Sequence, residues 1–294
     1  MTCWASPDCV EMTDYARYPL ARQRAGGQAA RYEAAARTAF TDEVTAAGGG
    51  AGGGAGLVWV QGEAAPALLM DQATTAVSLA PLVCGHNIRA GGPLGSVFTL
   101  ADMEVTTDYR TRARVLLITF LLQWDGLRPR LAGYVLYSSV TVLLLNIGDT
   151  VREFTLDQDD VFRMTEANVS MPDNQQFYNI NPDPEMLEVV RSLNLTAGEV
   201  EVKQRSGEDC LVADVHRILK KGGLLVDTDS SFSAQFLLSP LSMLVTRAGG
   251  LASNGTDPFL DLKPKYQNET LPILLGDKLS VETLVERNLP TYYP

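Results

Sequence analysis

Four acidic side chains are the residues of this chain whose type could support catalysis: Glu63, Asp71, Glu166 and Asp214. Two carboxylates can together bind one Mg²⁺ ion, because hard divalent cations prefer oxygen ligands. Solvated surface acids are the simpler interpretation of the same residues, since the chain has a formal net charge of −11. The sequence contains no Gly-x-Ser-x-Gly motif and no Cys/His or Ser/His/Asp arrangement that is typical of an activated nucleophile.

Histidine and cysteine offer little further chemistry. His216 lies within a predicted helix, where a hydrogen-bonded structural role is favoured over that of a catalytic base. The cysteines Cys3, Cys9, Cys84 and Cys210 are widely scattered and lack the spacing of a zinc site. This pattern favours free thiols in a reducing compartment, and a redox pair of Cys3 with Cys9 is the alternative.

Composition limits the partners that the chain could have. Its 294 residues are 46% hydrophobic, which is enough for one large core or for two subdomains. The acidic charge argues against nucleic acid or an anionic membrane as the main partner. No apolar run reaches the roughly 18 residues needed to cross a bilayer, and the longest, at 115–122, predicts a buried strand. We therefore expect no membrane span.

Hydrophobic patterning predicts a sheet in the first half and an alternation of helices with strands in the second. This alternation favours a layered α/β architecture. We expect an N-terminal extension with a glycine-rich linker at 1–56, followed by subdomains at 57–158 and 159–294. Strands are predicted at 57–60, 67–70, 96–100, 115–122, 132–145, 153–157, 223–226 and 272–276, and helices at 183–193, 210–221, 240–247 and 281–287, the second closed by Gly222-Gly223 and the last capped by Ser280.

Four ordered segments carry a family resemblance: Ala132-Gly-Tyr-Val-Leu-Tyr-Ser-Ser, Val212-Ala-Asp-Val-His-Arg, Ala248-Gly-Gly-Leu-Ala-Ser-Asn-Gly and Pro272-Ile-Leu-Leu-Gly. Together they resemble the fructose-1,6-bisphosphatase family over about residues 57–289, and sedoheptulose-bisphosphatase, from the same superfamily, is similar. The resemblance implies a layered α/β/α/β sugar-phosphatase fold and a place in carbohydrate metabolism. It also implies hydrolysis of a phosphate monoester with the help of divalent metal ions held by carboxylates.

The metal-binding positions that the resemblance implies are largely replaced. The family signature Asp-Pro-Leu-Asp-Gly-Ser-Ser corresponds to the segment that begins at Asp71, with Thr74 at the second aspartate and Thr75-Ala-Val at Gly-Ser-Ser. Of two glutamates expected upstream, Glu63 remains. A further metal-binding glutamate corresponds to Leu237. The resemblance therefore leaves Asp71 and Glu63 as remnants of a metal site and indicates no catalytic residue.

The phosphate-binding positions implied by the resemblance are replaced as well. The family's Arg-Tyr pair corresponds to Ser206-Gly207, its later tyrosine to Asp227 and its lysine to Ser231. The asparagine of a further turn corresponds to Thr165, ahead of Glu166. Replacing cations with neutral and acidic side chains removes the attraction for phosphate.

These replacements predict a fructose-1,6-bisphosphatase-like pseudoenzyme with a structural, regulatory or assembly role. We expect no cofactor, a protein partner or a hetero-oligomer with an active relative, and location in the plastid stroma or the cytoplasm. One alternative is a phosphatase that hydrolyses fructose 1,6-bisphosphate at a rebuilt site, which would need Mg²⁺. The other is a sensor that binds a phosphosugar without hydrolysing it.

Overall fold

The structure is a computed structural model that describes residues 57–61, 67–68, 75–88, 90–102, 130–172, 177–180, 201–204, 209–228, 232–263 and 269–286. The strand predicted at 115–122 and the helix predicted at 183–193 lie outside these residues.

Eight strands of the first half form one sheet. They are β1 (Leu57–Val60), β2 (Ala67–Leu68), β3 (Thr75–Val83), β4 (Leu94–Asp102), β5 (Leu131–Tyr137), β6 (Thr141–Ile147), β7 (Thr150–Leu156) and β8 (Phe162–Glu166). Their order is β2-β1-β3-β4-β5-β6-β7-β8. Strands β1 and β3 run parallel, and the other neighbouring pairs are antiparallel.

The apolar segment at 132–145 forms two strands, whereas the sequence predicted one. The chain reverses at Ser138–Val140, and Tyr137 of β5 then lies opposite Thr141 of β6. The Ser138 hydroxyl donates a hydrogen bond to the carbonyl of Val140 at 3.0 Å. The reversal contains no Gly or Pro, so the pattern of apolar residues runs through it without a visible break.

Strand β3 occupies a segment for which the sequence predicted no strand. Thr75, Ala76 and Val77 pair with β4, and Ala76 and Val77 also pair with β1. The strand is irregular at its other end, where the pairing register shifts between Ala80 and Val83. Pro81 lies at that shift. Because proline has no N–H to donate, it interrupts the ladder of backbone hydrogen bonds.

The second half supplies five strands and three helices. The strands are β9 (Phe177–Ile180), β10 (Glu201–Gln204), β11 (Gly223–Asp227), β12 (Leu251–Ser253) and β13 (Ile273–Gly276), and the helices are α1 (Leu211–Lys221), α2 (Ser239–Arg247) and α3 (Lys278–Glu286). The sheet order is β10-β9-β11-β13-β12. Strand β9 runs parallel to β10 and β11, and β13 is antiparallel to β11 and β12.

Helices α1 and α2 lie between the two sheets and contact both, while α3 contacts strands β11 to β13 of the second sheet. One apolar cluster joins these layers, and it includes the fully buried Tyr134 and Leu144 of the first sheet, Val215 and Leu241 of the helices, and Leu225 of the second sheet. The alternation of sheet and helix layers confirms the predicted layered α/β class.

The close approach of α1 to the first sheet depends on a glycine. A Cβ atom on Gly95 of β4 would lie 2.6 Å from a methyl carbon of Val212. No side chain larger than hydrogen fits there unless α1 moves away. This contact fixes the N-terminal end of α1 against the central part of the first sheet.

The helix ends show one confirmed and one wrong prediction. Gly222 ends α1 with a φ of 70°, and its N–H donates to the carbonyl of Ile218 at 2.8 Å, as predicted. Helix α3 begins at Lys278, and the carboxylate of Asp277 accepts the N–H of Ser280 at 2.9 Å. The predicted cap at Ser280 is therefore wrong, because Asp277 performs that role one turn earlier. Among the described residues, no helix is long and apolar enough to cross a membrane.

The first sheet extends beyond the predicted boundary at residue 158. Strand β8 pairs with β7, and the N–H of Val169 donates to the carbonyl of Val151 at 2.8 Å. The division into subdomains stays a prediction, but the sheet itself continues to Glu166.

Candidate functional site

Several predicted site residues lie outside the described residues: Glu63 and Asp71 of the expected metal site, and Ser206, Gly207 and Ser231 of the expected phosphate pocket. That Glu63 and Asp71 are remnants of a metal site therefore stays a prediction. The structure does describe three other parts of the expected site: the end of β3, the turn before α2 and the end of β11.

The end of β3 carries a second match to the Asp-Pro-Leu-Asp-Gly-Ser-Ser signature. Pro81-Leu82 repeats its Pro-Leu pair just before the strand gives way to the 3₁₀ turn Gly85–Ile88. A loop that cradles phosphate belongs at such a point, because backbone N–H groups leave the ladder where a strand ends. In this register the two aspartates correspond to Ala80 and Val83, and the glycine corresponds to Cys84.

The turn before α2 carries Leu237, the position of the further glutamate. It is a π-helical turn at Ala234–Leu238, and the Ser233 hydroxyl at its start accepts the N–H of Phe236 at 3.4 Å. The turn packs against β3 and β4. The turn that contains Leu237 therefore lies against the first sheet.

With this second register, three positions that correspond to acidic residues of the resembled family lie in the apolar core. Ala80, Val83 and Leu237 all belong to the core between the sheets, with exposed fractions of 0%, 8% and 5%. Hydrocarbon supplies no ligand to a divalent cation and excludes the water that would solvate it. In this part of the chain the residues present do not fit a metal centre. Among the described residues, no group of three or more His, Cys, Asp or Glu could hold a metal ion.

The end of β11 places an acid where the resemblance expects a phosphate-binding tyrosine. Asp227 is the last residue of the strand, is fully buried, and lies opposite Ile273 in the sheet. A carboxylate at this position repels a phosphate dianion, whereas a tyrosine hydroxyl could donate a hydrogen bond to it.

Glu166 takes part in an ion network rather than in a metal site. The Lys220 ammonium of α1 lies 2.6 Å from Glu153 of β7 and 2.5 Å from Glu166 of β8. The Thr165 hydroxyl donates to the other oxygen of Glu153 at 3.1 Å. Burial lowers the pKa of Lys220, but hydrogen bonds and charges of the two glutamates outweigh burial and leave that pKa above its ordinary value.

His216 lies one turn before Lys220 on the same helix. Its Nδ1 is 2.8 Å from the hydroxyl of Tyr134, which confirms the predicted hydrogen-bonded role. Burial, opposed by the nearby Glu153 and Glu166 charges, lowers the pKa of His216, and burial together with the Glu153 charge raises the pKa of Tyr134. Both groups are therefore held neutral, as suits a polar contact between a helix and a sheet.

Asp214 and Lys220, the partner of Glu166, lie toward opposite ends of α1. Asp214 lies in the first turn and is 3% exposed, whereas Lys220 lies in the last turn. The two described members of the four candidate acids are thus not brought together.

Sequence reasoning missed the ion network around Lys220. One signal was available, because His216 and Lys220 are four residues apart and so share a helix face. The partners on β7 and β8 gave no such signal, since their approach depends on how the sheet packs against α1.

Comparisons with known proteins agree with the fold. The family profile described as "Fructose-1-6-bisphosphatase, C-terminal domain" matches residues 183–288. The chain is 29% identical over 226 residues to "Fructose-1,6-bisphosphatase class 1 1" of Pseudoalteromonas translucida, covering 70% of this chain and 67% of that protein. It is 30% identical over 214 residues to the class 1 enzyme of Trichormus variabilis, covering 68% of this chain and 58% of that protein.

Solved structures of fructose-1,6-bisphosphatase also superpose on this chain. The Leishmania major fructose-1,6-bisphosphatase in apo form superposes with a TM-score of 0.82 at 21% identity, covering 98% of this chain and 95% of that chain. The holo form gives a TM-score of 0.80 at 20% identity, covering 94% and 91%. At this identity the superposition shows a shared fold.

Proposed function

Because this chain belongs to the fructose-1,6-bisphosphatase family, we propose that it is a pseudoenzyme, which keeps the family's fold without its metal-dependent hydrolysis. In this proposal it acts as a structural, regulatory or assembly subunit of a larger complex. The observation that carries the proposal is the burial of Ala80, Val83 and Leu237 in the apolar core. Each of the three stands where the family signature or the turn before the penultimate helix would supply a carboxylate.

The chemistry of the cluster supports loss of catalysis. Phosphate monoester hydrolysis in this class needs metal ions that activate water and neutralise the leaving group. Those ions need several anionic oxygens, and one or two remaining acids bind Mg²⁺ weakly at best.

The substrate side supports the same proposal. A doubly phosphorylated sugar needs local positive charge, yet Asp227 stands at the position of a phosphate-binding tyrosine. The positive charge of Lys220 is neutralised by Glu153 and Glu166, which lie within ion-pair distance of it. A net charge of −11 adds no general attraction for the substrate.

An intact scaffold without a metal centre would suit a role as a subunit. The packing of Gly95 against Val212 is one contact on which that scaffold depends. We propose a hetero-oligomer with an active relative as the form of the complex, in the plastid stroma or the cytoplasm. Native mass spectrometry of the protein isolated from its source would show a mass above that of one chain, and a lone monomer would contradict this part of the proposal.

The catalytic part is tested by assaying the full chain with fructose 1,6-bisphosphate and Mg²⁺ or Mn²⁺. The matched control is a Glu63→Gln/Asp71→Asn double variant, which removes the two remaining candidate ligands. We expect equal phosphate release from both proteins, at the level of the protein-free control. Release by the unmodified chain well above that of the double variant would overturn the proposal in favour of a rebuilt phosphatase site.

Two binding measurements separate the remaining alternatives. Calorimetry should detect no uptake of Mg²⁺ at millimolar concentration, whereas a rebuilt site would bind the ion and lose it in the double variant. A panel of phosphosugars should leave the melting temperature unchanged. A phosphosugar that raised it without being hydrolysed would identify a sensor, because a ligand that binds only the folded state stabilises it by mass action.

A further inference from the structure

A hydrogen bond joins the middle of α1 to strand β5 of the first sheet. The hydroxyl of Tyr134 lies 2.8 Å from Nδ1 of His216, and the two rings meet edge to face with their centroids 6.1 Å apart. Tyr134 is fully buried in the core between the sheets, and His216 is half-buried. A charge on either ring would therefore form at the edge of a dry core, where charge is poorly solvated.

The direction of this hydrogen bond follows from the burial of the tyrosine. Burial and the charge of Glu153 raise the pKa of Tyr134, so its hydroxyl keeps its hydrogen and needs an acceptor. Among the residues that the structure describes, Nδ1 of His216 is the one hydrogen-bond partner of that hydroxyl. The tyrosine O–H therefore donates to Nδ1, and the neutral imidazole carries its proton on Nε2.

A proton added to Nδ1 disrupts this arrangement. The Nδ1–H then becomes a donor, the tyrosine oxygen can only accept it, and the tyrosine hydrogen is left without an acceptor. Bulk water cannot take the place of that acceptor while α1 stays packed, because Tyr134 is 0% exposed. Protonation of His216 therefore favours separation of α1 from β5.

The surroundings of His216 also favour the neutral imidazole. Burial, the largest influence, lowers its pKa below the ordinary value. Glu153 of β7 and Glu166 of β8 oppose burial, whereas Lys220, one turn further along α1, adds to it. Lys220 lies 2.6 Å from Glu153 and 2.5 Å from Glu166, so it neutralises much of the attraction that these carboxylates would have for an imidazolium.

Helix α1 also contacts strands β4, β9 and β11. The titratable residues of these strands, and the remaining ones of α1, are Asp102, Tyr178, Asp227, Asp214, Arg217 and Lys221. None of these six is among the charges that act on His216 in the described part of the chain. The charge of His216 is therefore governed by its burial, by Tyr134 and by the ion network around Lys220.

We propose that His216 is a pH-sensitive latch, which holds α1 against β5 while its imidazole is neutral and releases this contact when Nδ1 gains a proton. The proposal is independent of the proposed function, because it needs neither a metal ion nor a phosphosugar. The apolar contact of Val212 with Gly95 at the start of α1 contains no titratable group and would not respond. Acidification should therefore loosen the middle of α1 before it unfolds the chain.

Proton linkage gives the effect a definite sign. An imidazole whose pKa is lower in the folded chain than in the unfolded chain binds fewer protons when folded. The equilibrium constant for folding therefore decreases as pH falls below about 6.5. From pH 7.5 to 5.5 this constant should fall by roughly fivefold to tenfold through His216 alone. Urea denaturation at the two pH values and one ionic strength measures the total decrease.

The chain offers a matched control, because it contains two histidines and the other one, His86, is exposed. His216→Asn keeps an acceptor near the position of Nδ1 but gains no proton in this range, so it should lose the fivefold to tenfold decrease. His86→Asn should keep that decrease. Tyr134→Phe should reduce it, because protonation then leaves no buried O–H without an acceptor. Equal decreases in the unmodified chain and His216→Asn would overturn the proposal.

Nuclear magnetic resonance of the imidazole nitrogens tests the latch in the folded chain. The His216→Asn spectrum identifies which of the two histidine signals belongs to His216. We expect that signal to show the proton on Nε2 at pH 7.5 and to titrate below about pH 6.5. Amide exchange in α1, corrected for the intrinsic effect of pH, should rise on acidification in the unmodified chain only. A proton on Nδ1 at pH 7.5, or an equal rise in His216→Asn, would contradict the latch.

Discussion

Leu237 is the side chain on which the absence of a metal centre depends most directly. Replacing it with glutamate should lower the free energy of unfolding by roughly 3–5 kcal/mol, because the new carboxylate would be buried without a cation. The 5% exposure of Leu237 leaves little room for water to solvate the charge. Urea denaturation of the Leu237→Glu variant, followed by circular dichroism, measures this loss.

The control for this substitution is Leu237→Met, which conserves volume and hydrophobicity and should cost less than about 1.5 kcal/mol. A Leu237→Glu variant that unfolds like the unmodified protein and takes up Mg²⁺ would show that the position faces a solvated acidic cleft. That outcome would contradict the placement of Leu237 in a dry core.

The sequence alone could match some residues to positions of the resembled family more firmly than others. Leu237 could be aligned because Pro240, at the start of a helix, fixes the register without a gap. The signature segment has two possible registers, because Asp71 offers a matching aspartate and Pro81-Leu82 offers the matching Pro-Leu pair. The second register is supported by the backbone, since β3 ends at Val83 and Cys84 has a left-handed φ.

The packing of α1 on the first sheet has a polar component that can be tested separately. Lys220 neutralises Glu153, whose side chain is 11% exposed, and also contacts Glu166 on the adjacent strand. Replacing Lys220 with methionine should keep its apolar stem and leave the Glu153 carboxylate without its cation. Since Lys220 is itself 31% exposed, we expect a loss of about 1–3 kcal/mol in the free energy of unfolding.

Lys221 is the matched control for this prediction, since it is adjacent on α1 and exposed to solvent. Lys221→Met should change the free energy of unfolding by less than about 0.5 kcal/mol. Equal effects of the two substitutions would mean that the loss reflects a change in net charge rather than the bridge between α1 and the strands.

Helices were easier to predict than the contacts they make. The apolar face of α1 and the glycines after it are visible in the sequence, as is the proline near the start of α2. The junction between β5 and β6 is not visible in the sequence, because it contains no Gly or Pro. Contacts such as that of Lys220 with Glu166 join distant segments. They follow from the packing of α1 against the sheet, which no local pattern encodes.

The two predicted subdomains share one core. The apolar cluster that contains Tyr134 of the first sheet also contains Leu225 of the second, with α1 and α2 between them. Strand β8 lies after the predicted boundary at residue 158 but pairs with β7 before it. A cut at that boundary would expose one face of the first sheet and both helices, so neither part would retain a complete core.

We therefore predict that the full chain unfolds in a single cooperative transition. Circular dichroism and tryptophan fluorescence should give the same urea midpoint and slope, because the shared core cannot open on one side while the other stays packed. Separately expressed fragments 1–158 and 159–294 should lack the cooperative transition of the full chain. Two resolved transitions, or a fragment that unfolds cooperatively alone, would show that the sheets are stabilised independently and that α1 and α2 belong energetically to only one of them.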